Sequence, residues 1–231
     1  KSQFYDIAQR FIDFHLRYSG HFESKTRSVF ASASNYLKGL MQATRKNMER
    51  MEEHVVGADD QALQYMLTEA QWDSQAVMDQ VAQEVNQLLG GDGSCLLLDE
   101  SGFEKKGEHS VGVARQWNGR LGKVDNCQVG VFAALGCGAP ASLIDYRLYL
   151  PESWSKDALR CKKMGIPESF RAFKTKSELA LEMVRHQRQQ GIKFAWVGAD
   201  GGYGKEPAFL RGLEDMNEIF VVDVHKDQRI Y

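Results

Sequence analysis

The stretch that decides the fold is residues 95–99 (CLLLD), in which a short apolar run leads directly into a carboxylate. An unbroken apolar run of this length predicts a buried central strand. A second run, residues 194–200 (FAWVGAD), ends in the same way and is followed by residues 201–204 (GGYG). Carboxylates at the C-terminal ends of buried strands lie at the rim of a sheet, where ligands bind. Two such carboxylates can share divalent metal ions, so the question for this chain is whether Asp99 and Asp200 form one site.

The composition indicates an ordinary globular chain. With 231 residues, 43% of them hydrophobic and 26% charged, the chain can bury a full core as one large domain or two small ones. The net charge of -2 gives no overall sign of nucleic-acid binding. The four cysteines lack the spacing of a redox or zinc motif, which favours a reducing cytoplasm. No apolar run reaches the roughly 18 residues of a membrane span, so no membrane partner is expected.

Residues 1–90 are predicted to form an all-helical N-terminal domain, because apolar residues recur there at helical spacing. The predicted helices cover residues 4–15, 24–53, 63–67 and 77–89. The last two could form a helix-turn-helix, but any helical bundle gives the same pattern. The absence of a basic residue between Ser74 and Leu89 favours the bundle for the final helix. DNA binding and assembly both remain open as roles of this domain.

A glycine-rich segment, residues 90–93 (GGDG), precedes a second domain predicted over residues 94–231. Asn118 and Gly119 give the best hairpin signal in the chain, and residues 175–178 (TKSE) predict a capping box. The predicted strands are residues 94–98, 110–117, 126–135, 142–150, 194–199 and 219–224, and the predicted helices are residues 178–190 and 206–216. This order predicts an α/β fold with a mixed sheet, antiparallel strands coming first and parallel strands later.

Residues 147–188, part of which is predicted to be loop-rich, are the most basic part of the chain. They hold ten Lys and Arg residues against five Asp and Glu residues, and they include Lys162 and Lys163. This excess is compatible with a surface that faces phosphates. It is equally compatible with a solvated helix face.

The residues around the two aspartates add candidates for chemistry. Adjacent strand residues face opposite sides of a sheet, so Asp99 and Glu100 are not expected to bind the same ion. The glycines after Asp200 are predicted to permit positive φ angles and close approach to a ligand. If Asp99 faces a phosphodiester, Lys105, Lys106 and His109 can reach its oxygens, although a solvated hairpin gives the same pattern.

Four segments together resemble the catalytic blocks of DDE-type insertion-sequence transposases. They are residues 96–116 (LLLDESGFEKKGEHSVGVARQ), 122–131 (GKVDNCQVGV), 147–154 (RLYLPESW) and 198–204 (GADGGYG). The resemblance implies an RNase H-like fold, similar to that of retroviral integrases. It implies that Asp99 and Asp200 are the first two acidic residues of the catalytic triad and that they hold two Mg²⁺ or Mn²⁺ ions. One ion would activate water or a DNA 3′-hydroxyl, and the other would stabilise the leaving oxygen.

The resemblance also implies partners. These are double-stranded DNA, as transposon ends and target, and further copies of the chain in a dimer or higher oligomer on that DNA. The candidate DNA-binding residues are Lys105, Lys106, His109, Arg115, Lys123, Lys162 and Lys163. The expected location is the bacterial cytoplasm, in association with the nucleoid.

The third acid of such a triad is a glutamate on a helix after the last strand, and no residue up to Tyr231 matches it. The expectation is therefore a transposase truncated before its third carboxylate, which alone would be inactive. An inactive DNA-binding or assembly module derived from a transposase is the alternative. A metal-dependent hydrolase of small phosphate esters is a more distant possibility.

Overall fold

The computed structural model describes residues 2–25 and 27–224. Contacts within the chain divide it into two compact units, Lys1–Gln80 and Val81–Tyr231. The division falls inside helix α5 (Ser74–Leu89), upstream of the predicted glycine-rich boundary. The reason is that Ala82, in the second half of this helix, is fully buried in the core of the second unit.

The first unit is helical, as predicted. Its helices are α1 (Ser2–Leu16), α2 (Phe30–Gln42), α3 (Met48–His54), α4 (Asp60–Thr68) and the first half of α5, with a 3-10 helix at Ser19–Phe22. The single helix predicted over residues 24–53 is wrong, because that stretch holds α2 and α3. Asn47 ends the continuity by capping α3, its side chain accepting from Arg50 N at 2.9 Å.

The second unit contains a six-stranded mixed sheet. Its strands are β1 (Ser94–Glu104), β2 (Ala114–Asn118), β3 (Lys123–Cys137), β4 (Ala141–Leu148), β5 (Trp196–Ala199) and β6 (Phe220–Val222). The order is β2-β3-β1-β5-β6, with β4 also paired to β3. The pairs that involve β3 are antiparallel, whereas β1, β5 and β6 run parallel to one another. The predicted mixed sheet with flanking helices, preceded by a helical region, is confirmed.

The hairpin signal located its turn correctly. β2 and β3 are joined after Asn118, whose carbonyl accepts from Leu121 N and Gly122 N, each at 3.0 Å. Gly122 has a φ of 63°, in the left-handed region that glycine occupies at low cost. The connection is therefore a wider loop over residues 119–122 and not a tight two-residue turn.

The helices of the second unit are α6 (Glu152–Ser155), α7 (Ala158–Lys163), α8 (Lys176–Gln189), α9 (Gly201–Gly204) and α10 (Pro207–Asp215), with a 3-10 helix at Glu168–Phe170. The segment predicted to be loop-rich thus contains α6 and α7. They form around Trp154, which is fully buried and donates its indole N–H to Val113 O at 2.7 Å. This small core compensates for the low helical signal of the segment.

The main core lies on one face of the sheet. Leu96 and Leu98 of β1 point to this face and pack with α8, α10 and the second half of α5. The intervening residues of β1 point to the other face, where Leu97 is 39% exposed. Asp99 is on this second face, so the pleat turns its carboxylate away from the main core. Among the described residues, no helix is long and apolar enough to cross a membrane.

Candidate active site

Asp99 and Asp200 occupy neighbouring positions on two parallel strands. The β1–β5 pairing ends with Leu98 opposite Ala199, and the two aspartates are the next residues of each chain segment. Paired strands lie about 4.8 Å apart. The structure therefore brings the two predicted aspartates together at one edge of the parallel part of the sheet.

Asp99 does not end its strand, which corrects the sequence-based prediction. β1 continues from Asp99 to Glu104 because the long strand β3 goes on pairing with it, as far as Glu104 opposite Cys127. Only the partner on the other side, β5, stops at Ala199. Asp99 is therefore held by an antiparallel ladder on one side and is open on the other, towards Asp200.

Each carboxylate makes one hydrogen bond to the backbone. Asp99 Oδ1 accepts from Glu100 N at 2.7 Å, and Asp200 Oδ1 accepts from Gly202 N at 2.9 Å as the N-cap of α9. Within residues 2–25 and 27–224, the second oxygen of each carboxylate has no hydrogen-bond partner. Both side chains are exposed, so both second oxygens are available to a ligand.

The two carboxylates also interact electrostatically. Partial burial raises the pKa of Asp99 above its ordinary value, and the negative charges of Asp200 and Glu100 raise it further, against the hydrogen bond from Glu100 N. Repulsion between like charges is a cost that a bound cation removes. The site therefore has the oxygen donors and the excess negative charge that a divalent ion such as Mg²⁺ prefers.

The prediction of positive φ angles for the glycines after Asp200 is wrong. None of them has a positive φ, because Asp200 is extended (φ -78°, ψ 177°) and the following residues form the short helix α9. Gly204 is needed for close packing, since a Cβ there would lie 2.0 Å from the backbone oxygen of Asp223. Gly204 thus lets the end of α9 pack against the backbone that follows β6.

Glu100 faces away from Asp99, in agreement with strand alternation. Its Oε1 lies 2.6 Å from Lys176 Nζ, at the first residue of α8. The buried side chain of Tyr203 lies on the same side, since it packs in the main core with Leu96 and Leu98. Burial raises the pKa of Tyr203 well above its ordinary value, and the charges of Glu100, Asp99 and Asp200 add to the effect.

Sequence reasoning missed Lys176 and Tyr203. The capping box did indicate where α8 begins, and therefore where Lys176 lies along the chain. Its pairing with Glu100 depends on tertiary packing. The position of Tyr203, three residues after Asp200, was a local signal that could have been used.

The predicted DNA-binding residues lie on several elements. Lys105, Lys106 and His109 follow β1, Arg115 lies in β2, Lys123 begins β3, and Lys162 and Lys163 end α7. His109 and Lys163 line one cleft together with Glu108, Arg160 and Met164. Arg160 was not predicted as a site residue. Its guanidinium stacks 3.7 Å from the centre of the Trp154 ring and donates to Glu108 O at 2.6 Å, which fixes its position in the cleft.

Lys123 is already engaged by a neighbouring carboxylate. Its Nζ lies 2.8 Å from Asp125 Oδ2, and this hydrogen bond raises the pKa of Lys123. The side chain is well exposed, so the ion pair is open to solvent and to salt. Lys123 is therefore a weaker candidate for binding phosphate than Lys163.

In the part of the chain that the structure describes, one set of three acidic residues comes within metal-binding distance. Glu52, Asp59 and Asp60 have oxygen atoms within 4.8 Å of one another in the helical unit. Asp59 already caps α4 by accepting from Ala62 N at 2.7 Å. Glu52 lies in the second half of α3, whereas Asp59 and Asp60 lie at the start of α4, and exposed acidic groups are common without a metal.

The sheet order defines the class of protein, an α/β protein with a mixed sheet. Its antiparallel pairs join β1, β2 and β4 to β3, and β5 and β6 run parallel to β1. The sequence profile of DDE superfamily endonucleases matches residues 17–231. The chain therefore belongs to this family.

The chain is also similar to individual proteins. It is 26% identical over 224 residues to a probable transposase for insertion sequence element IS701 from Microchaete diplosiphon. That match covers 96% of this chain and 55% of the relative, so the chain spans about half the length of the relative. A solved structure, the Mos1 transposase paired-end complex with left transposon end, aligns with 89% of this chain and 61% of its own, at 12% identity and a TM-score of 0.26.

Proposed function

We propose that this chain is the part of a DNA transposase that carries the first two catalytic carboxylates, Asp99 and Asp200. The intact protein would cleave DNA phosphodiesters at transposon ends and transfer the cut strand to a target. The observation that carries the proposal is the adjacency of the two aspartates, which follow paired positions of β1 and β5 and are electrostatically coupled. Membership of the endonuclease family supports the reaction class.

The proposed cofactor is Mg²⁺ or Mn²⁺, as two ions held in part by Asp99 and Asp200. The fit rests on two exposed carboxylates, each with one oxygen that has no partner among the described residues. When bound, such ions supply Lewis-acid stabilisation and activation of the attacking oxygen. The protein's own contribution is to hold the two carboxylates at a fixed spacing on neighbouring strands.

The proposed partner is double-stranded DNA. The His109–Lys163 cleft and the exposed side chains of Lys106, Lys162 and Arg115 offer cationic groups to phosphate oxygens. The helical residues 1–90 are proposed to bind DNA or to assemble copies of the chain into a dimer or higher oligomer. A bacterial cytoplasmic location beside the nucleoid follows from the proposed substrate.

The test uses the full-length protein and a labelled transposon end. Asp99→Ala and Asp200→Ala should each abolish Mg²⁺-dependent cleavage, since each removes a metal ligand, and should leave DNA affinity unchanged in a gel-shift assay. Asp92→Ala, which alters an exposed loop carboxylate in the same unit, is the matched control and should cleave normally. Retained cleavage in either aspartate variant contradicts the assignment.

The third catalytic carboxylate is assigned to none of residues 1–231. The 231-residue chain alone should therefore bind Mg²⁺ weakly and cleave DNA poorly, and robust cleavage by it would contradict this expectation. If the full-length protein binds DNA in a salt-sensitive manner but never cleaves it, the alternative of an inactive DNA-binding or assembly module is supported instead.

A further inference from the structure

The hydroxyl of Tyr203 is a buried proton donor on the same face of β1 as Glu100, since Tyr203 packs with Leu96 and Leu98. The residue is only 2% exposed, and its hydroxyl has no hydrogen-bond partner of normal geometry among the described residues. Leaving such a group unpaired costs about 1–3 kcal/mol. A buried hydroxyl of this kind needs an acceptor, and the Glu100 carboxylate lies on the same face of β1.

Tyr203 is physically attached to one of the two proposed metal ligands. It lies on α9, whose N-cap is Asp200, and its N–H donates to Asp200 O at 3.1 Å. Its ring packs against Phe209, with ring centroids 5.3 Å apart. A hydrogen bond made by the hydroxyl would therefore restrain the Asp200 turn as well.

Glu100 is attached to the other proposed ligand. It follows Asp99 directly on β1, and its position is fixed by Lys176 Nζ at 2.6 Å. Both side chains of this ion pair are largely shielded, with exposures of 25% for Lys176 and 29% for Glu100. The pair consequently holds Glu100 in one orientation, on the side of β1 where Tyr203 lies.

We propose that Tyr203 and Glu100 are positioning residues for the metal site: when a divalent ion is bound, the hydroxyl that has no partner among the described residues donates to the Glu100 carboxylate and ties the Asp200 turn to β1. The inference rests on the proposed function, because it assumes that Asp99 and Asp200 hold a divalent ion. Donation to Glu100 leaves the second oxygens of both aspartates to the metal. Groups that orient metal ligands in this way typically change metal affinity by 10–100-fold when removed.

The first test is Tyr203→Phe, which removes the hydroxyl and keeps the ring. Binding of Mn²⁺ to the 231-residue chain, followed by electron paramagnetic resonance without DNA, should weaken by at least about tenfold. The melting temperature should stay nearly the same, because the ring still packs on Phe209. Tyr36→Phe, in the helical unit, is the control and should bind Mn²⁺ as the wild type does.

A second variant tests whether the two residues act through one hydrogen bond. Glu100→Gln should weaken Mn²⁺ binding to a similar degree. The double variant should have an Mn²⁺ affinity no lower than that of the single variant with the lower affinity. Additive losses, or unchanged Mn²⁺ affinity in Tyr203→Phe, overturn the inference. If the melting temperature falls together with the Mn²⁺ affinity in both variants, the inference is also overturned, since that result would indicate a purely structural role.

The same titration separates this inference from the proposed function. If Asp200→Ala leaves Mn²⁺ binding unchanged, the aspartates are not the metal ligands, and both proposals fail. If Asp200→Ala abolishes binding while Tyr203→Phe does not affect it, only the positioning role of Tyr203 fails.

Discussion

Asp99 and Glu100 are neighbours in sequence with opposite surroundings. Asp99 lies on the open side of the sheet beside Asp200, while Glu100 lies on the side of α8 and is neutralised by Lys176. The difference follows from the two-residue period of a strand. Because no cation within the described residues pairs with Asp99, its ionised form makes the folded chain less stable than a neutral side chain would.

Asp99→Asn is therefore expected to stabilise the metal-free chain at neutral pH. The folded-state pKa of Asp99 is raised, so ionisation opposes folding at every pH above that value. The gain should shrink as the pH falls through the raised pKa and vanish below the ordinary carboxyl value of about 3.9. Thermal melting in EDTA between about pH 3 and pH 8 measures the effect.

The control for this prediction is Asp92→Asn, which removes an exposed charge in a loop. It should show no comparable gain in melting temperature at pH 7. In the presence of Mg²⁺ the wild type should melt at a higher temperature than Asp99→Asn, because the ion bound by Asp99 stabilises the folded chain. A variant that is less stable than the wild type in EDTA at pH 7 would show that the carboxylate is not repelled.

At the scale of the element, α8 links helix capping to the site. Thr175 Oγ1 accepts from Glu178 N at 3.1 Å, and Glu178 Oε2 accepts from Thr175 N at 2.7 Å, which completes the capping box. The cap fixes the first turn of the helix and therefore the position of Lys176. A local sequence signal thus determines that α8 begins at Lys176, the partner of Glu100.

Thr175→Ala is expected to lower the free energy of unfolding by about 1 kcal/mol, since the cap hydrogen bond is lost. Urea denaturation followed by circular dichroism measures the change. Thr175→Ser keeps the hydroxyl and should recover most of the stability. If alanine and serine are equally destabilising, the loss comes from packing of the methyl group and the capping explanation is wrong.

At the scale of the whole molecule, the basic residues differ in how available they are to bind phosphate. Lys163 lies in a cleft with His109 and Arg160, whereas Lys123 is paired with Asp125. The net charge of -2 does not reveal this difference, because it says nothing about where on the surface the charges lie. DNA affinity is expected to depend on local clusters of cations.

Lys163→Ala should therefore reduce the salt dependence of DNA binding more than Lys123→Ala does. Each lost phosphate contact lowers the slope of log K against log salt by about 0.9. Fluorescence anisotropy with a short duplex, between about 50 and 200 mM salt, measures both slopes. Equal slopes for the two variants would show that the ion pair with Asp125 does not shield Lys123.

Prediction from sequence succeeded where a signal is local. The apolar run at residues 95–98, the hairpin at Asn118 and the capping box at Thr175 each lie where they were expected. It failed where a distant partner decides. β1 extends past Asp99 because β3 continues to pair with it. α6 and α7 form around Trp154, which donates a hydrogen bond to the distant Val113 O.

The amino-acid sequence by itself determined the mixed α/β class, the two carboxylate-bearing segments and the resemblance to DDE transposases, because strand period, caps and motifs are written in neighbouring residues. Only the tertiary structure decided that Asp99 and Asp200 lie side by side, that Glu100 pairs with Lys176 and that Tyr203 is buried on the same side of β1 as Glu100. The physical reason is strand register. It is fixed by the packing of the whole sheet and brings together residues that are a hundred positions apart.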